Sequence, residues 1–154
     1  MAVSAEWMIP KSLWMKRHQP EIFAHAARIG EYQDYINLRL TGRWVASLDN
    51  MAVRWHYQSQ HGGKPTSLLD KLGIAELAGK WPQEIVRPGD VIDGLTQEAA
   101  AHLGLKAGTP VVQGGADAFI GVIGLGVTEP GEMALITGSS HLHLGVAAKP
   151  VHAA

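Results

Sequence analysis

The short β-branched run Val111-Val112-Gln113 gives way at once to Gly114-Gly115-Ala116-Asp117 and then to the apolar stretch Ala118–Leu125. A run of that kind reads as a buried strand. Paired glycines let the backbone turn tightly or approach a neighbour closely. The apolar stretch behind them reads as a helix. Strand, glycine turn and helix in that order point to an α/β fold, in which ligands bind beyond the carboxyl ends of strands. Eight of the chain's 18 glycines fall between Gly114 and Gly145, and from Ala107 to Ala148 there is no Lys or Arg. The acids in that window are Asp117, Glu129 and Glu132. Asp117 alone stands between a strand end and an apolar helix. Two compatible uses are open to it: capping the helix, or facing a cleft as a working carboxylate.

Further on, Gly126–Gly131 reads as a turn, and Met133–Ile136 and His141–Val146 as two strands of a hairpin joined through Thr137-Gly138-Ser139-Ser140. Small residues, hydroxyls and backbone N–H groups in such a concave turn suit phosphate oxygens. Neither G-x-G-x-x-G nor a Walker loop occurs. His141 and His143 share one strand face. An H-x-H pair can ligate a metal, but no third ligand is evident, so no metal site is assigned to them.

The first two-thirds read as short helices with visible punctuation. Pro10 suits a helix N1 position, with Leu13, Trp14 and Met15 following. Pro20 opens a second helix whose stripe Ile22, Phe23, Ala26 and Ile29 runs to Gly30. Asp34 is placed to cap Tyr35–Leu40, with Gly42 just past its end. Gly62–Pro65 is a turn, Ser67–Leu72 a short helix stopped by Gly73, and Glu84–Asp93 extended backbone bent at Pro88-Gly89. Thr96 caps Gln97–Leu103, which Gly104 closes. The five tryptophans are scattered and read as core or domain-face residues.

At 154 residues, with 46% hydrophobic and 18% charged residues, the chain can bury a core of its own. A net charge of −1 without a basic run leaves no footprint for nucleic acid or acidic lipid. Arg39, Arg43 and Arg54 are too dispersed for a phosphate clamp. The absence of cysteine excludes a disulfide scaffold, a zinc ribbon and a thiol nucleophile. No stretch approaches the roughly 18 apolar residues of a membrane span, and the N-terminus has no signal-peptide pattern. A cytoplasmic location is expected.

The order of these motifs resembles the FGGY carbohydrate kinases. The likeness runs through PKSLWMKRHQPEIFAHAARIGEYQDYINLRLTG and LLDKLGI, is most specific in RPGDVIDGLTQEAAAHLGLKAGTPVVQGGADAFIGVIGLG, and ends in TGSSHLHLG. RWHYQSQHGG and TGSSHLH lean toward the ribulokinase-like pentulose kinases. The resemblance implies a partial ribonuclease H-like, actin-like ATPase fold. Residues 1–125 would be the later part of the first domain, and 126–154 the opening hairpin of the second. It implies ATP-dependent phosphorylation of a sugar or polyol hydroxyl, a pentulose such as ribulose or xylulose, with ATP and Mg2+. Asp117 would be the general base, and Thr137, Gly138, Ser139 and Ser140 would hold ATP phosphate. Gly115, Asn50 and Trp55 join Asp117 as sugar-pocket candidates. Members of the family run to several hundred residues and open on an Asp-x-Gly-Thr loop that does not occur here. An internal fragment is therefore expected, inactive alone and prone to associate with itself through uncovered apolar faces. A non-catalytic actin-like nucleotide-binding module, or a structural fragment, are the alternatives.

Overall fold

The computed structural model describes residues 4–138 and 141–149. The chain forms two compact units, Met1–Gln113 and Gly114–Ala154.

The first unit opens on three helices, α1 (Met8–His18), α2 (Pro20–His25) and α3 (Tyr32–Thr41). Pro10 sits third in α1, not first as its sequence suggests. A missing N–H still costs nothing there, because the first-turn donors have no intrahelical acceptor. The first paired donor is the Lys11 N–H, on the Trp7 carbonyl at 3.1 Å. Helix α2 begins at Pro20 as expected but stops at His25, well short of Gly30. Tertiary partners end it early. The Lys80 ammonium donates to the Ala24 and Ala26 carbonyls, and the Ile29 N–H donates to the Lys80 carbonyl at 2.9 Å. In α3 the cap is Glu31, and Asp34 reciprocates from the third position. Its Oδ2 accepts the Glu31 N–H at 2.8 Å. Gly42 ends the helix at φ 77.

Strand β1 (Val45–Ser47) pairs in parallel with β2 (Glu84–Val86), Val45 against Glu84 and Ser47 against Val86. Between them lie α4 (Leu48–Arg54), α5 (Thr66–Lys71) and α6 (Leu77–Lys80). Strand β3 (Val91–Gly94), α7 (Gln97–Leu103) and β4 (Pro110–Val112) complete the unit. Helix α7 is capped by Thr96, whose Oγ1 accepts the Ala99 N–H at 3.1 Å, and Gly104 closes it at φ 68. Strand β4 runs antiparallel to β3. Its β-branched run predicts burial on both faces, yet Val112 is 51% exposed. Among the described residues β3 is its one strand partner, which leaves one edge of β4 without a strand.

The main core packs Trp55 edge-on against Trp81 (centroids 4.9 Å, 68°) among Ile9, Phe23, Met51, Leu69, Ile74 and Leu77. Trp14 is the outlier among the tryptophans, 53% exposed. Arg39, Arg43 and Arg54 each pair with a different acid, Glu98, Glu84 and Glu31.

The second unit holds α8 (Asp117–Gly124) and the hairpin β5 (Met133–Thr137) and β6 (His141–Gly145). Ala134 faces Leu144 and Thr137 faces His141 across the ladder. Helix α8 packs on β6, and the compact division of the chain falls before α8.

Candidate active site

Asp117 is the first residue of α8, and Ala116 is the cap residue. The carboxylate therefore does not cap in the N-cap sense. Its Oδ1 accepts the N–H of the next residue, Ala118, at 2.7 Å. Oδ2 has no partner among the described residues. The side chain is exposed, at a helix end whose dipole favours negative charge.

A cavity of about 370 Å³ opens beside it within the second unit. Asp117, Ala118 and Gly121 of α8 form one wall; Ile136 and Thr137 of β5, Gly138 just after it and Leu142 of β6 form the other. Alternation along the hairpin puts Ile136 and Leu142 opposite each other on one face. Gly121 lies mid-helix, where glycine costs about 1 kcal/mol relative to alanine. A Cβ there would meet nothing within 4 Å, so its absence leaves the cavity wide.

Glu132, the second acid of this window, is committed elsewhere. Its Oε2 accepts the N–H groups of Thr128 and Glu129 at 2.8 and 2.9 Å. The Glu129 N–H, with that of Thr128 beside it, holds the carboxyl below the usual range. Glu132 fastens the turn before β5, and Asp117 is the one carboxylate lining the cavity among the described residues.

The structure thus brings together Asp117, Thr137 and Gly138. Ser139 and Ser140 lie outside the described residues. Gly115 is half-buried in the segment leading into α8. Asn50 and Trp55 belong to the first unit. Asn50 is 7% exposed and its Nδ2 donates to Gln33 Oε1 at 2.7 Å. Trp55 is fully buried, and its indole N–H donates to Glu31 Oε1 at 3.1 Å. Assignment of Trp55 to a sugar pocket is corrected on this ground: it has no exposed surface and its only donor is used. Gly121, Ile136 and Leu142 escape a sequence reading, since nothing marks a helix glycine or a strand aliphatic as cavity lining before the hairpin register is known. No group of three His, Asp or Glu able to hold a metal occurs among the described residues.

The profile of the FGGY family of carbohydrate kinases, N-terminal domain, matches residues 4–124. The chain belongs to that family. Among FGGY relatives it is 34% identical over 147 residues to the ribulokinase of Shouchella clausii, covering 94% of this chain and 26% of that protein. It is 32% identical over 139 residues to the autoinducer-2 kinase of Klebsiella pneumoniae, covering 90% and 25%. The crystal structure of xylulose kinase from Rhodospirillum rubrum superposes with a TM-score of 0.81 at 28% identity, over 95% of this chain and 30% of that one. The fold is therefore part of the actin-like, ribonuclease H-like architecture of the FGGY sugar kinases. The chain spans about a quarter of the length of the curated FGGY proteins it matches. Among the described residues no helix is long and apolar enough to cross a membrane.

Proposed function

We propose that this chain carries the catalytic base and part of the phosphate-binding turn of an ATP-dependent sugar kinase, with a pentulose such as ribulose or xylulose as acceptor. The observation that carries this reading is the cavity in which Asp117 faces Thr137 and Gly138, in a chain of the FGGY family.

Phosphoryl transfer asks a protein mainly for positioning and for charge stabilisation. The sugar hydroxyl sits against Asp117 Oδ2 and gives up its proton as its oxygen attacks the γ-phosphorus. The Ala118 N–H holds Oδ1, which fixes the plane of the carboxylate. Thr137 and Gly138 offer a hydroxyl and exposed backbone to phosphate oxygens, and Ser139 and Ser140 extend that turn in sequence. Mg2+ bound with ATP would supply positive charge to the phosphates. Such an ion takes most of its ligands from phosphate and water.

The test uses the kinase completed with the segments that flank this region in its relatives, assayed for ATP turnover on a panel of ketoses and polyols. Asp117→Asn should lower kcat by at least about 10²–10⁴, the usual worth of a general base, with sugar and ATP still bound. An amide keeps the size and the hydrogen bond from Ala118 but cannot take up the proton. Near-normal kcat in that variant would leave Asp117 as a helix-end residue and sink the assignment.

A further inference from the structure

A second cavity, of about 420 Å³, lies in the first unit on the loop between α4 and α5. Its polar lining comes from His56, Gln58, His61, Lys64, Thr66 and Ser67, and no carboxylate lines it. His56 is the one non-glycine residue in the left-handed region among the described residues, at φ 56. It follows the C-cap residue of α4, Trp55, a place that glycine takes without steric cost. An L-residue there costs about 1–2 kcal/mol. The His56 ring is held edge-on against Trp7, centroids 4.9 Å apart at 72°.

The rest of the loop is also built. Gln58 and Gly63 exchange N–H···O bonds of 2.9 Å in both directions. Gly62 and Gly63 turn the chain at φ 84 and 78, so that His61 stands at the loop's tip. Lys64 donates to the Ala78 carbonyl at 2.8 Å and to Gln83 Oε1 at 2.6 Å. An ammonium has three protons, and Nζ also stands over the Trp81 ring, 5.0 Å from its centroid. Among the described residues the two imidazoles, the Gln58 amide and the hydroxyls of Thr66 and Ser67 have no hydrogen-bond partner.

We propose that this cavity binds a phosphate group, free or as the monoester of a small molecule. The lining is a set of uncommitted donors around the Lys64 ammonium, with two imidazoles that each offer a ring N–H. Phosphate supplies the complement, acceptor oxygens with negative charge. A cation meets Lys64 and finds no carboxylate. The site shares no residue with the Asp117 cavity and does not depend on the function proposed for that one.

The test is a titration of the ¹⁵N-labelled 154-residue chain with sodium phosphate, against sodium chloride at matched ionic strength. The ring signals of His56 and His61 and the amides of Gly62 and Gly63 should move and saturate with phosphate and stay still with chloride. His56→Gly keeps the left-handed backbone without strain, and His61→Ala changes an exposed loop tip. Each should weaken binding at least about tenfold, the equivalent of about 1.4 kcal/mol, with the melting temperature held or raised. Glycerol 3-phosphate beside inorganic phosphate distinguishes a monoester from the free anion, and saturable binding of either supports the site. Shifts that do not saturate, that chloride reproduces, or that persist unweakened in both variants overturn it.

Discussion

Asp34 shows how one side chain can set the pH response of a whole unit. It is fully buried in the first turn of α3. Oδ2 accepts the Glu31 N–H, while Oδ1 has no partner. Burial is the main cause that raises its pKa from 3.8 to about 7; the Glu31 N–H pulls the other way, and the Glu31 carboxylate adds to the rise. Glu31 is itself paired with Arg54 at 2.9 Å. Between those two pH values the native chain holds a proton that the unfolded chain has released. Stability must then fall as pH rises from about 4 to 7, by as much as about 1.4 kcal/mol per pH unit from this group, and level off above. Asp34→Asn keeps an oxygen for the Glu31 N–H and has nothing to titrate. Urea unfolding followed by tryptophan fluorescence should show a flatter pH profile for the variant and greater stability than the parent at pH 8. Parallel profiles for the two proteins would show that Asp34 does not titrate in this range.

At the scale of elements, local chemistry was legible and non-local pairing was not. Gly42, Gly73 and Gly104 mark the ends of α3, α5 and α7 in the sequence because a left-handed residue is a local requirement; their φ values are 77, 69 and 68. Thr96 declared α7 in the same way. The hairpin β5–β6 was visible since alternation and a small-residue turn lie within one short stretch. Strand β1 gave no signal: three residues are too few for a period, and what makes Val45–Ser47 a strand is its pairing with Glu84–Val86. The end of α2 was equally hidden, being set by Lys80. For the Asp117 cavity, the residues with distinctive chemistry could be read from motif order, and the aliphatic wall could not.

Gly94 and Gly121 give a contrast at this scale. A Cβ on Gly94 of β3 would lie 2.7 Å from Gly108 Cα and 3.0 Å from its carbonyl, and that backbone is fixed by Gly108 N–H donating to the Leu95 carbonyl at 2.9 Å. Gly94→Ala should destabilise the first unit by about 1–3 kcal/mol, as overpacking does. Gly121→Ala meets open space and should stabilise α8 by up to about 1 kcal/mol while narrowing the cavity. Urea midpoints by fluorescence for the first variant and by circular dichroism for the second decide the matter; an unchanged midpoint for Gly94→Ala would mean that the β3–β4 junction gives way.

For the whole molecule, the distribution of apolar surface is uneven. All five tryptophans belong to the first unit, where they cover or fill the core. In the second unit α8 buries no residue, and Ile123, Leu125, Met133 and Leu135 are 57–67% exposed. Met133 and Leu135 fall on one face of β5 by alternation. Surface of that kind drives association. Sedimentation at about 100 μM should show self-association, and the double variant Met133→Lys, Leu135→Lys should reduce it. A parent chain that stays monomeric at that concentration contradicts the prediction.

The pairing of β1 with β2 also sets a tempo. The β5–β6 ladder closes between Thr137 and His141, whereas the parallel pair must bring Ser47 to the level of Val86 across a loop roughly ten times longer. At about 0.6 kcal/mol for each doubling of loop length, that closure carries about 2 kcal/mol more chain entropy. Hairpins form in about 1–10 μs, and pairings between residues distant in sequence are the slow ones. The first unit therefore acquires its shape only when residues 84–86 arrive beside a segment made some forty residues earlier, and until then the tryptophans that will meet across that join remain in water.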